Sequence, residues 1–246
     1  MPVREAGTRH AWYAVSLLCL LSIISYLDRY IIALLAEPIG HSMQTDDTGI
    51  GLLMGLGFGV LYSLIGLPLA HLLDTRSRVR IVAVSVTVWS LSTCASAFAD
   101  SFGWLAFCRA GVAVGEAALT PAAVSLIADF FARDRRTLPT TMFMGIASLM
   151  GAGAFIIGGA AFRLAGSLQP TLGVDAGRLS MLFVGLPGLL VAPLWFATVS
   201  EPMRGVASGE DRPLPMRDAI AYFVANLRLY GFLFLGLCAS STASFA

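Results

Sequence analysis

The chain has 246 residues, of which 57% are apolar and only 13% charged, about half the charged fraction of an ordinary soluble domain. Its net charge is +1, every cation is arginine, and no basic run suits a nucleic acid. Composition therefore excludes a water-soluble globule and a nucleic-acid partner, and makes the lipid bilayer the surrounding medium.

A spanning helix needs about 20 mostly apolar residues. Six segments meet that length in chain order: Ala11–Ala36, Gly49–Leu73, Ile81–Phe98, Phe102–Phe131, Leu138–Phe162 and Leu179–Val199. The first is too long for a signal-peptide core and carries Asp28 and Arg29, so it reads as a retained helix. The fifth is rich in small residues, including Gly145, Gly151, Gly153, Gly158 and Gly159. Small residues let helices approach closely in lipid; static packing and a sliding surface fit this pattern equally.

The intervening stretches alternate in charge. Those at 1–10, 74–80, 132–136 and 200–228 hold twelve arginines, whereas those at 37–48, 99–101 and 163–178 hold Arg163 and Arg178 alone. Arginine-rich loops stay cytoplasmic. The expected topology is a multi-pass protein of the cell (plasma or inner) membrane, with a cytoplasmic N-terminus and six spans that return the chain to the cytoplasm at Ser200.

The organisation expected is an all-α membrane protein in three parts. Residues 1–199 form a six-helix transmembrane bundle. Residues 200–228 form a cytoplasmic linker, with a short interfacial helix in the amphipathic run Met216–Asn226. Residues 229–246 form an incomplete seventh transmembrane helix. On this reading the chain is a fragment of a longer membrane protein. The cysteines Cys19, Cys94, Cys108 and Cys238 lie in apolar blocks and read as small buried side chains. No cofactor or metal site is expected, because His10, His41 and His71 lie apart near loops or helix ends, with no acid cluster beside them.

Charges within spans are costly and mark aqueous or paired positions. Four candidates stand out: Asp28 and Arg29 on the first span, Arg109 and Glu116 on the fourth. A rise of about 1.5 Å per residue puts Asp28 about 12 Å and Arg109 about 10 Å from the outer ends of their helices, close enough in depth to pair. Glu116 follows Arg109 by two turns on the same face, near the midplane. Arg29 either faces this group or reaches outward to the interface along its long side chain. Competition for Arg109 between Asp28, Glu116 and an anionic substrate would couple protonation to binding; the alternative is a static ion-pair network.

These segments resemble the major facilitator superfamily. PLAHLLDTRSRVR (Pro68–Arg80) is similar to its cytoplasmic loop motif, with Asp74, Arg78 and Arg80 matching, while Ala70 and Thr75 stand where a glycine and a base are usual. Arg109 through Ala117 (RAGVAVGEA) resembles the family's Arg–Gly–Gly signature. Glu116 after that glycine looks like the Spinster-like branch, as do SYLDRYIIA on the first span, LIADFFARDRR at Leu126–Arg136 and SEPMRG after the sixth. The resemblance implies one half of a fold in which two six-helix bundles enclose a central cavity with alternating access. It implies that Asp28, Arg109 and Glu116 line the cavity and serve proton coupling. It also implies that Asp74, Arg78, Arg80 and Asp129 form a cytoplasmic gating network; plain positive-inside anchoring is the other reading of those charges. The implied cargo is a small or amphiphilic organic solute, such as a lysolipid, moved with protons.

Two other classes compete with transport. A membrane-embedded enzyme would need a nucleophile–base pair or metal cluster, and neither Gly-x-Ser-x-Gly nor His-Glu-x-x-His occurs, so no catalytic residue is assigned. A non-transporting subunit, or a half that works only with a partner bundle, is the remaining alternative.

Overall fold

A computed structural model describes residues 8–204 and 216–245. The described residues are helical with no strand among them, and they fall into two compact units, divided after Ser208.

The first unit contains six helical stretches long and apolar enough to cross a membrane: Thr8–Leu34, Asp47–Thr75, Arg78–Ser96, Phe102–Phe130, Thr137–Leu172 and Ala176–Thr198. They match the six expected spans. In chain order the helices are α1 (Thr8–Leu34), α2 (Ala36–Met43), α3 (Asp47–Met54), α4 (Leu56–Thr75), α5 (Arg78–Ser96), α6 (Phe102–Glu116), α7 (Leu119–Phe130), α8 (Thr137–Leu172) and α9 (Ala176–Thr198). Short polar side chains start several of them. Asp46, Ser77, Ser101 and Asp175 each accept from backbone N–H groups in the first turn, as N-caps do.

Two spans are broken. The second divides at Gly55 into α3 and α4. The fourth divides at Ala117–Ala118 into α6 and α7. Pro121 explains the latter, because its ring crowds the carbonyl four residues back and it has no N–H to bond Ala117.

Two expected loops are largely helical. The stretch 37–48 contains α2, whose Ile39 buries with Leu35 and Met43 in one apolar cluster. The stretch 163–178 is a correction of larger extent: α8 continues through it to Leu172, where Gly173 takes a left-handed conformation (φ 67°) and ends the helix. The continuation is held by burial. Ala165, with Phe162 and Leu168, packs on Ala176, Leu179 and Phe183 of α9. Polarity marked this stretch as outside the bilayer, but a helix that buries one face can run on into water.

The bundle core lies around α5, which packs against α6 on one side and α9 on the other, while α1 packs on α8 and α9. Trp89 and Trp195 are its largest fully buried side chains. The Trp195 Nε1–H donates to the Val79 carbonyl at 3.0 Å, tying α9 to α5. Both faces of α5 are approached through glycine. A Cβ on Gly115 of α6 would lie 2.8 Å from the Ser85 carbonyl oxygen, and one on Gly185 of α9 would lie 3.1 Å from that of Ser90. The helices can come this close only without those side chains. The second and fifth spans are the least buried within the bundle.

The second unit holds α10 (Met216–Ala225) and α11 (Leu227–Phe245). Asn226 separates them, its Nδ2 donating to the Tyr222 carbonyl, and the Phe223 ring stacks on Tyr230 at 4.8 Å between centroids. Residues 205–215 of the expected linker and the side chain of Cys238 lie outside the described residues. Cys19, Cys94 and Cys108 are free thiols.

Candidate functional site

The intramembrane charges meet in one place. Asp28 (1% exposed), Arg109 (4%) and Glu116 (1%) are all buried. Arg109 Nη1 donates to Asp28 Oδ1 at 3.3 Å and lies 3.5 Å from the main-chain oxygen of Asp28. Arg29 Nη2 donates to Glu116 Oε2 at 2.7 Å. Two adjacent residues of α1 thus pair with two residues of α6 seven positions apart. Thr93 on α5 completes the group, its hydroxyl lying 2.6 Å from Asp28 Oδ2.

The pairing differs from a shared Arg109. Seven residues along α6 set the Arg109 and Glu116 backbones about 10 Å apart, and each carboxylate takes its own guanidinium. Arg29 turns inward rather than outward to the interface, and its side chain keeps 33% exposure. An aromatic wall explains why it can. The Arg29 guanidinium lies 5.5, 5.0 and 5.3 Å from the ring centroids of Tyr26, Phe58 and Tyr62. Arg109 lies 5.3 Å from the same Phe58. Ring faces attract cations at these distances, most strongly where water is scarce. Phe58 and Tyr62 sit one turn apart on α4, where the sequence offered only an apolar run.

The site is only partly satisfied. Arg29 Nε, Arg109 Nε and Glu116 Oε1 are buried without a protein partner. These atoms keep hydrogen-bonding capacity for a partner other than the protein.

A second cluster sits at the end of the bundle where α4 stops and α5 starts. Arg78 is buried, and its Nη1 donates to Asp129 Oδ2 at 2.5 Å and to Ser125 Oγ at 2.9 Å. Its Nε donates to Glu201 Oε1 at 2.8 Å. Glu201 Oε2 accepts from the Ser77 hydroxyl at 2.7 Å and the Val79 N–H at 2.9 Å. Arg204 donates to the carbonyls of Leu73 and Arg76, at the C-terminus of α4. The expected network is therefore corrected. Arg78 and Asp129 belong to it, whereas Asp74 and Arg80 stand exposed outside it. The helix explains Arg80: two residues beyond Arg78 on α5 turn it by about 200°, away from α7. Ser77, Ser125, Glu201 and Arg204 were missed, although Glu201 and Arg204 lie within SEPMRG.

Burial pushes the Glu201 carboxyl up, but the Val79 N–H, Arg78 and Ser77 together hold it below the usual carboxylate value of 4.5. A depressed folded value stabilises the ionised form above the unfolded pKa, and that contribution vanishes as pH falls through the folded value. Acid unfolding of the chain in detergent should thus steepen below pH 4.5. Glu201→Gln should flatten the profile there, and an unchanged acid limb would exclude the ionised latch.

With this geometry in hand, comparison with known families matches the Major Facilitator Superfamily over residues 18–246. The chain belongs to the major facilitator superfamily. Within the superfamily it is similar to an MFS-type efflux pump of Mycolicibacterium smegmatis, 35% identical over 188 residues, which cover 76% of this chain and 42% of the pump. It is also similar to Protein spinster of Drosophila melanogaster, 29% identical over 208 residues, which cover 82% of this chain and 31% of that protein. Among solved structures, it resembles a bacterial homolog of the human lysosomal transporter Spinster in an inward-facing, unoccupied conformation. The TM-score is 0.75 at 31% identity, covering 88% of this chain and 49% of that one. The chain thus spans less than half the length of these relatives and corresponds to the N-terminal half of a Spinster-like superfamily member. Membrane transport is the activity general to this superfamily, and the chain is a multi-pass membrane protein.

Proposed function

We propose that the chain supplies the N-terminal bundle of a proton-coupled, alternating-access transporter for a small or amphiphilic organic solute. The observation that carries this reading is the pair of crossed, incompletely satisfied ion pairs, Asp28–Arg109 and Arg29–Glu116. A carboxylate that gains a proton releases its guanidinium, and a freed guanidinium beside an aromatic wall attracts an anionic group. Proton binding and solute binding would then draw on the same two arginines. The superfamily builds its substrate site between two halves. The open faces of the second and fifth spans support a second six-helix bundle as the partner. The Arg78–Asp129–Glu201 cluster would hold the cytoplasmic end closed in one conformation. The alternation of arginine between loops supports a cytoplasmic N-terminus in a plasma or inner membrane. A lysolipid-like cargo accords with the Spinster resemblance, and the similarity to a mycobacterial efflux pump accords with solute transport.

The test is transport in proteoliposomes, with the chain joined to or co-reconstituted with a C-terminal bundle, under an imposed pH gradient. Lysolipids and organic anions serve as probes. Glu116→Gln should abolish gradient-driven accumulation while leaving exchange without a gradient measurable. Normal pH-dependent accumulation by this variant would refute the coupling role. Transport that requires the second bundle would support the half-transporter reading over that of a self-sufficient chain.

A further inference from the structure

The Thr93 hydroxyl has two acceptors and one proton. Its oxygen lies 2.6 Å from Asp28 Oδ2 and 3.0 Å from the carbonyl oxygen of Trp89, one turn earlier on α5. A hydroxyl carries a single O–H donor and two acceptor lone pairs, so only one of these bonds can be donated at a time. Both Thr93 and Asp28 are buried, so whichever arrangement holds must satisfy the pair without bulk water.

We infer that Thr93 is a positioning residue for the proton on Asp28, a two-way rotor that serves both charge states of that carboxyl. When Asp28 is ionised, the Thr93 O–H points to Oδ2 and donates to it. When Asp28 is protonated, its own O–H donates to Thr93 Oγ1, and the Thr93 proton swings to the Trp89 carbonyl. The proton count balances in each state: one bond between the two side chains persists and only its polarity reverses. No buried donor or acceptor of this pair is orphaned in either state. A serine hydroxyl can make the same exchange, and a valine, equal in shape, can make neither bond.

The charged and titratable surroundings of Asp28 are Arg29 on its own helix, Cys94 on α5, and Arg109 and Glu116 on α6. α8 and α9 each contribute one charged residue, Arg163 and Arg178, and Arg178 is engaged with Asp100. Thr93 is the neutral group in contact with Asp28 that can follow the change in its charge.

The inference rests on the proton-coupling reading, but its test does not require transport. The full chain in lipid is titrated by infrared difference spectroscopy, with the Asp28 carboxyl band assigned by its loss in Asp28→Asn. In the wild type the protonated band should lie at the frequency of a hydrogen-bonded acid, and a free-acid frequency would overturn the inference even without a Thr93 variant. Thr93→Val removes a charge-assisted bond from the ionised state and should raise the midpoint by about one pH unit. Thr93→Ser should keep the wild-type midpoint. An unmoved midpoint in Thr93→Val, an equal shift in Thr93→Ser, or no titrating Asp28 band would each overturn it. A clean band shift alongside absent gradient-driven transport would instead count against the proposed function alone.

Discussion

Arg109→Met is expected to destabilise the bundle by about 3–5 kcal/mol, the range for removing one partner of a buried ion pair. Arg109 and Asp28 are both almost wholly buried. Without the guanidinium, Asp28 keeps only the Thr93 hydroxyl, and the 3.3 Å pair on Nη1 is gone. The contact of Arg109 with the Phe58 ring disappears as well, although methionine restores part of the packing. The double variant Asp28→Asn/Arg109→Met should recover most of the loss, because the cost comes from the uncompensated charge rather than from the missing pair. Unfolding midpoints in detergent for the two single variants and the double one form a thermodynamic cycle. A coupling near zero would mean that Asp28 and Arg109 do not act as a unit.

Gly115→Ala should be among the most damaging single-methyl changes in the bundle. The added carbon would stand 2.7 Å from the Trp89 Cβ, 2.8 Å from the Ser85 carbonyl oxygen and 2.8 Å from the Trp89 nitrogen. Two of these are backbone atoms within α5 and cannot swing aside. Relief requires α5 and α6 to separate, which also stretches the site, since Thr93 lies on one helix and Arg109 on the other. Overpacking of this kind costs about 1–3 kcal/mol. Gly145→Ala on α8 provides the contrast: its added carbon meets nothing within 4 Å, and alanine is favoured over glycine within a helix. The two should move the unfolding midpoint in opposite directions. Equal tolerance of both would mean that α5 and α6 are not in close contact at Gly115.

The six spans were legible because lipid imposes a length on apolar runs, and that signal survives errors of a few residues at each end. Asp28, Arg109 and Glu116 were legible for the complementary reason: ionised groups are so rare inside spans that each one stands out. What the sequence could not supply was pairing. Depth along two helices brought Asp28 and Arg109 to the same level, but which guanidinium takes Glu116 depends on rotation about the helix axes, and sequence spacing does not fix that rotation between helices. Thr93, Phe58 and Tyr62 were invisible because threonine and aromatic residues are ordinary within apolar helices. At the end of the bundle beside Arg78, the motif resemblance pointed to the right loop, yet Asp74 and Arg80 were assigned with Arg78 as though the motif were a surface. Helical geometry turns Arg80 away and gives the contact to Glu201, a residue 123 positions further along the chain.

At 36 residues, α8 is about 54 Å long, against a hydrocarbon slab of about 30 Å. One end must stand proud of the membrane, and the buried contacts of Ala165 with α9 keep that end a stiff rod. A rigid rod magnifies small angles: a tilt of about 10° at one end carries the other through about 9 Å at this length. A spin label or fluorophore on the final turn, near Leu172, would therefore act as a pointer, reporting rocking of the helix far more sensitively than a probe placed beside the charges themselves.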